Sequence, residues 1–375
     1  GFSSLPGLAS WMVRIIAVSL LAGGAFAQNA ANAPGASNDP KAPKAAEATA
    51  TKAPEATRAD EASVAPKAPG ELIDLGGYKF HLWCMGHGGP AVVMSSGAGD
   101  FSFAWALVQP KVAESTRACT YDRAGEAWSD LGPQPRTMHQ EVFDLHRALA
   151  KAGVAGPYIM VGHSMGGNIV REFAAQFPAD VAGIVLVDSG GEDTLAFIRG
   201  KLQKERELSK GQPIPAPRSS ITPADALTPE YIAGMTKFIK DNDIRPEIDP
   251  PFAKLPPEMQ KWQLWALGKL SHFAALDNSL APEELQELYE ARSKTQYPLG
   301  DLPLIVLRRN TYAYPKKYAE VLEKQHKELA EGLSHLSRQG ELVVVPEVGH
   351  HIHLDAPQVV IDAISKVRAE VAAGR

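Results

Sequence analysis

The chain has 375 residues, 45% hydrophobic and 22% charged, with a formal net charge of −5. That length allows one large domain plus an insertion. The balance describes a globular protein and excludes the electrostatic footprint of a nucleic-acid binder, which needs an excess of basic residues.

In chain order, Met12 opens MVRIIAVSLLAGGAFAQ, in which Arg14 precedes an apolar stretch that ends in Ala25-Phe26-Ala27. This layout predicts a signal peptide over residues 1–27, with Met12 as the start and cleavage between Ala27 and Gln28. The apolar run is short and interrupted by glycine, so no stable membrane insertion is expected after cleavage; an uncleaved anchor is the alternative. Periplasmic or secreted localisation follows. Residues 28–70 are almost entirely Ala, Pro, Lys, Glu, Thr and Asp and carry no aromatic residue. Such a segment cannot bury enough apolar surface to fold, and it reads as a Pro-stiffened linker.

The folded domain is expected over residues 71–375. Glu71 to Gly77 and Tyr78 to Met85 read as two strands joined at Gly76-Gly77. Ala91 to Ser96 is a third strand and Thr116 to Asp122 a fourth. Met138 to Ala152 has helical spacing, with Val142, Leu145 and Leu149 on one side. Tyr158 to Val161 is an apolar run that passes through Gly162-His163-Ser164-Met165-Gly166 into the helical pattern Asn168 to Phe177, stopped by Pro178. Ala182 to Val187 is a sixth strand, ending at Asp188. Residues 190–300, about a hundred in number, are then Pro-punctuated and helical in pattern, too long for an ordinary loop. Strands resume at Leu302 to Leu307 and at Glu341 to Val345, followed by a closing helix from Pro357. The alternation predicts a mostly parallel, doubly wound sheet of eight strands, with the helical block inserted after strand 6 as a cap.

The chemistry centres on Ser164. G-x-S-x-G between a strand and a helix makes a turn so tight that Gly162 and Gly166 have no room for side chains, and it pushes the serine hydroxyl out at the carboxyl edge of the sheet. A serine needs a base to take its proton, and the base needs an orienting acid. His350, after the last strand, is the best-placed base. His351 and His353 share its loop, but no Cys or carboxylate cluster with ligand spacing joins them, so no metal is expected. His163 reads as pocket wall. The oxyanion hole needs two backbone amides; Met165, opening the helix, and Ala98, in the Gly-rich turn after the third strand, are the candidates.

The elbow GHSMGG, the late Gly-His-His, the segment YDRAGEAWSD and the eight strand-like segments resemble the α/β-hydrolase superfamily, over Glu71 to Arg375. The resemblance implies a serine esterase-type fold with a helical cap and a Ser-acid-His order, with Ser164 as nucleophile, His350 as base and Met165 as oxyanion donor. Three departures stand out. Ser96-Gly97 replaces the family's usual His-Gly, Asp122 to Ser129 lacks one glycine of the usual D-x-R-G-x-G-x-S, and the usual acid after the seventh strand is replaced by Arg308-Arg309-Asn310. Asp188, at the carboxyl end of the sixth strand, is therefore the expected acid, a position some members of the superfamily use. Asp301 precedes its strand, Asp355 is placed to fix the histidine's loop, and Glu320 and Glu323 fall on a helix beyond the seventh strand. Capping the turn into the insertion is the alternative role for Asp188.

Since relatives with an aspartate elbow are excluded, the expectation is a cofactor-free serine hydrolase of small-molecule carboxylic esters acting through an acyl-enzyme. A carbon–carbon bond (diketone) hydrolase on the same fold, and an inactive hydrolase-shaped binding protein, are the alternatives. Among the cap aromatics Trp262 and Trp265 are candidate pocket residues, although holding the cap helices together is the commoner role for such side chains. The only two cysteines, Cys84 and Cys119, fall on the second and fourth strands, which are neighbours in the family's fold. Together with export this favours a disulfide, with two buried free thiols as the alternative.

Overall fold

The computed structural model describes residues 65–198, 201–312 and 314–374. The expected signal peptide, and the linker up to residue 64, lie outside the described residues.

Eight strands form one sheet: β1 (Glu71–Asp74), β2 (Lys79–Met85), β3 (Val92–Ser95), β4 (Ala118–Tyr121), β5 (Tyr158–His163), β6 (Val181–Val187) and, after the insertion, two more. The insertion opens with a hairpin, β7 (Leu195–Ile198) and β8 (Lys201–Lys204), so the last two sheet strands are β9 (Leu304–Arg309) and β10 (Gly340–Val345). The sheet order is β1-β2-β4-β3-β5-β6-β9-β10. β2 runs antiparallel to β1 and β4, and every other pairing is parallel. The chain therefore moves out from β3 towards β4, returns, and continues through β5 and β6 to β10. That reversal puts the carboxyl ends of β3, β5, β6 and β9 side by side.

Strands covered on both faces need unbroken apolar runs, and β5, β6 and β9 have them up to the ends that reach the site, where His163, Arg308 and Arg309 stand. Met160, Ile184, Leu186, Leu304 and Val306 pack on one face with Val142, Leu145, Ile169 and Phe173. Their neighbours Ile159, Val161, Val185, Val187, Ile305 and Leu307 pack on the other with Trp105, Val360, Ile364 and Val367. The helices Met138–Lys151 and Met165–Gln176 thus cover one face and Pro357–Ala372 the other. Thr137 caps the first of these by accepting from the Gln140 amide at 3.1 Å.

Between β6 and β9 lie the helices Pro229–Asp241, Pro257–Leu267, Leu270–Ala275 and Ala281–Lys294. The helical expectation for residues 190–300 needs one amendment, the β7–β8 hairpin; strands of four residues are too short for periodicity to reveal. The insertion is fastened to loops at the carboxyl edge of the sheet. His272 Nδ1 lies 2.6 Å from Glu126 in a buried pair, Lys269 Nζ donates to the Ala127 carbonyl, and Lys254 pairs with Asp355 at 2.5 Å.

Residues 66–69, within the stretch expected as linker, lie against the domain. The Pro66 carbonyl accepts from Trp128 Nε1 at 2.7 Å and the Pro69 carbonyl from His81 Nε2 at 2.5 Å. Cys84 and Cys119 face each other in the β2–β4 ladder and are joined by a disulfide.

Candidate active site

The site grows from the turn between β5 and the helix Met165–Gln176. Ser164 sits at φ +52° and ψ −121°, a strained conformation for a non-glycine residue. Main-chain bonds hold it there: its N–H donates to the Val187 carbonyl at 3.2 Å, and its carbonyl accepts from Gly167 and Gly190 at 3.0 and 3.1 Å. A Cβ on Gly162 would collide with the Gly166 carbonyl, and one on Gly166 with the Ser95 carbonyl. The two glycines are therefore a steric requirement of the turn.

Asp188 is the first residue after β6, also at positive φ (+43°), and is 3% exposed. His350 lies in the loop after β10. Its Nδ1 donates to Asp188 Oδ2 at 2.6 Å, which makes Nε2 the basic nitrogen. Its side chain keeps 30% exposure, enough to be reached from solvent. Burial would raise the Asp188 carboxyl, but hydrogen bonds from His326 and His350 and the Arg309 charge hold it well below the usual carboxylate range. Burial pushes His350 below the ordinary histidine range, with Asp188 pulling the other way. An ionised acid and a neutral base is the resting state that general-base chemistry requires.

Behind this pair, His163 donates from Nε2 to the His350 carbonyl at 3.0 Å, the two rings lying 4.6 Å apart. Asp100 Oδ2 is 3.7 Å from both His163 Nδ1 and His351 Nε2. Burial would raise Asp100, and these two histidines hold it well below its usual value. Among the described residues no group of His, Cys, Asp or Glu is arranged to hold a metal ion.

The turn carrying Ala98 follows β3, the strand beside β5. Its carbonyls are tied back: Arg123, 5% exposed, donates to Ser96 at 2.8 Å and to Gly97 at 2.7 Å. Ser96 Oγ donates to the Phe101 carbonyl and accepts from Trp105 Nε1. Turning those carbonyls towards Arg123 is what a loop must do if its amides are to face a developing negative charge. Glu141 stands 3.7 Å behind Arg123, and burial pushes its carboxyl up to about 7 despite the guanidinium.

A model described as the alpha/beta hydrolase family matches residues 87–363. The chain belongs to the α/β hydrolase family. A superfamily member from Gibberella zeae is 35% identical over 109 residues, 28% of this chain and 34% of the relative. An uncharacterised protein of Schizosaccharomyces pombe is 42% identical over 88 residues, 24% of this chain and 16% of the relative. The matches thus span about a third or less of these relatives' lengths. A thermophilic esterase from Thermogutta terrifontis superposes with a TM-score of 0.52 at 18% identity, covering 78% of this chain and 94% of the esterase. At that identity the likeness speaks to the fold alone.

Ser164 and Asp188 follow His163 and Val187, which pair at the neighbouring ends of β5 and β6, and His350 joins them through its bonds to Asp188 and His163. Asp301 is at the opposite edge, exposed and paired with Arg338 at 2.9 Å, and Glu320 is exposed on its helix. Asp355 accepts from the Gly349 amide at 3.0 Å and so fixes the His350 loop. Trp262 and Trp265 stand in an aromatic cluster: Trp128 lies 5.1 Å from Trp262 and 5.3 Å from Trp265, and Phe103 lies 5.8 Å from Trp262. This packing fastens the cap to the body.

Sequence reasoning missed Arg309, His326, Asp100 and the structural task of Arg123. One signal was available for Arg309. The chain departs from the family's acid at the end of the seventh sheet strand, and at that place stands the cation that binds the acid donated by the strand next to it.

Proposed function

We propose that this hydrolase cleaves small-molecule carboxylic esters, with Ser164 as nucleophile, His350 as general base and Asp188 as the orienting acid. The observation that carries the reading is the 2.6 Å bond from His350 Nδ1 to a buried, ionised Asp188, set beside a strained serine elbow. Ser164 Oγ attacks the acyl carbon while its proton passes to His350 Nε2. The tetrahedral oxyanion is bound by the amides of Met165 and Ala98, then collapses to the acyl-enzyme as His350 returns the proton to the departing alcohol. Water attacks the acyl carbon while its proton passes to His350, and the C–Oγ bond then breaks as His350 returns that proton to Ser164 Oγ, releasing the acid. No cofactor enters this cycle.

We further propose that the protein is exported to the periplasm or beyond the cell. The signal-like segment at Met12–Ala27 and the Cys84–Cys119 disulfide both support that reading. Among the described residues no helix is long and apolar enough to cross a membrane.

The deciding experiment is a p-nitrophenyl ester chain-length series on the purified protein, run beside a vinylogous diketone and a fluorophosphonate label. Ester turnover should fall about 10⁴-fold or more in Ser164→Ala, and the label should be lost, while the fold is kept. Retained turnover would overturn the assignment. Diketone cleavage without ester cleavage would move the chain to carbon–carbon hydrolysis.

A further inference from the structure

Asp188 has more donors than one histidine can supply. Oδ2 accepts from His350 Nδ1 at 2.6 Å and from Arg309 Nη1 at 2.8 Å. Oδ1 accepts from the Arg309 main-chain N–H at 3.0 Å and faces His326 Nε2 at 3.3 Å. Arg309 therefore grips both carboxylate oxygens, one with its backbone and one with its guanidinium. The guanidinium is fixed in turn, donating from Nη2 to the Tyr314 hydroxyl at 2.7 Å and standing 5.2 Å from the Tyr312 ring centroid. Its side chain is 12% exposed.

We propose that Arg309 is a positioning residue that locks Asp188 towards His350 and, by sharing Oδ2 with it, keeps the base in working form in acidic solution. This rests on the roles proposed above for Ser164, Asp188 and His350. When His350 takes the serine proton it becomes an imidazolium, stabilised by negative charge on Oδ2. A cation on the same oxygen draws on that charge, so protonation of His350 from solvent is disfavoured as well.

Of the other titratable groups around the pair, His163 presses His350 in the same direction as Arg309, but only when it carries a proton. His163 and His353 are buried, and burial holds both below the ordinary histidine range. His351 and Asp100 face each other at 3.7 Å, and the histidines beside Asp100 hold its carboxyl well below the usual range. His326 bonds the far oxygen and lies 3.2 Å from the Tyr312 hydroxyl through Nδ1. Arg309 is the member of this set that stays positive at every working pH. Burial, His163 and Arg309 all press His350 downward, against Asp188.

The test is the pH dependence of kcat/KM on p-nitrophenyl butyrate, between about pH 2.5 and pH 9, where the acid limb reports the base of the enzyme before substrate binds. Arg309→Met should move that limb up by about one pH unit, the shift expected of a lost charge a few ångströms away. Arg309→Gln, which keeps a donor for Asp188 and guards against a folding failure, should move it by a similar amount, and Arg309→Lys should restore most of the original position. Rates lowered evenly at all pH with an unmoved limb, or a limb that moves down, would overturn the proposal. Ser164→Ala separates the two levels of inference. Turnover surviving that change would overturn the site itself, whereas an unmoved limb with Ser164→Ala inactive overturns only the role of Arg309.

Discussion

Replacing Asp188 by Asn tests the acid and the fold together, because the carboxylate serves both. Asn has one oxygen and one NH₂ in place of two acceptors. If the NH₂ takes the Oδ2 position it meets two donors, His350 Nδ1 and the Arg309 guanidinium; if it takes Oδ1 it meets the Arg309 amide and faces His326. Neither orientation satisfies the site, and in both the Arg309 cation loses its only anion within salt-bridge distance among the described residues. Stranding one partner of a buried pair costs about 3–5 kcal/mol. The lower end applies because Arg309 keeps its Tyr314 bond. At about 2 °C per kcal/mol for a domain of this size, the melting temperature should fall by about 6 °C. Catalysis should suffer more, since a neutral amide cannot stabilise the His350 imidazolium and, with its NH₂ towards Nδ1, favours the wrong tautomer: kcat should drop about 10²–10⁴-fold with little change in KM. The assay is initial rates on a p-nitrophenyl ester together with a calorimetric melt. The double variant Asp188→Asn/Arg309→Met removes the stranded cation and should recover at least half of the lost stability and none of the rate. A kcat within tenfold of the unmodified protein would refute the reasoning, most sharply if Glu320→Gln were inactive instead.

Two further outcomes follow from the same structure. The disulfide closes a separation of 35 residues, so Cys84→Ala/Cys119→Ala should cost about 4 kcal/mol in the chain-entropy picture, read as a lower urea midpoint that reductant does not change further. Stability should also fall on acidification. His163, His350 and His353 have folded-state values below their unfolded value of about 6.5, so the unfolded chain binds more protons and stability is lost as pH falls below that value. Glu141, Glu205, Asp277, Glu284 and His81 are shifted the other way and favour the folded state in acid. But His350, pushed down to about 3, is displaced further than Glu141, pushed up to about 7, and His353 is held well below its usual value. The depressed Asp188 and Asp100 add to the loss below about pH 4. A urea midpoint at pH 5 equal to or above that at pH 7.5 would contradict this balance.

The parts built from chain neighbours are legible in the sequence. Gly162, Ser164 and Gly166 lie within five residues, so the elbow's sterics are written in one short segment. The unbroken apolar runs of β5, β6 and β9 declare strands buried on both faces, and the position of Asp188 directly after β6 assigns it to the serine's edge of the sheet. Which side chains meet across long separations depends instead on how the strands are laid side by side. His350 reaches Asp188 over 162 positions and Arg309 reaches it over 121, because β9 is laid beside β6 and β10 beside β9. Periodicity carries the face a residue points to but not the order of strands in the sheet. For the same reason Trp262 and Trp265 could be read as cap aromatics but not as partners of Trp128, and Arg123 not as the side chain behind the Ser96 and Gly97 carbonyls. Local sterics and hydrophobic period act through the chain, whereas a shared carboxylate, a buried ion pair or a ring contact exists only once distant segments have been packed together.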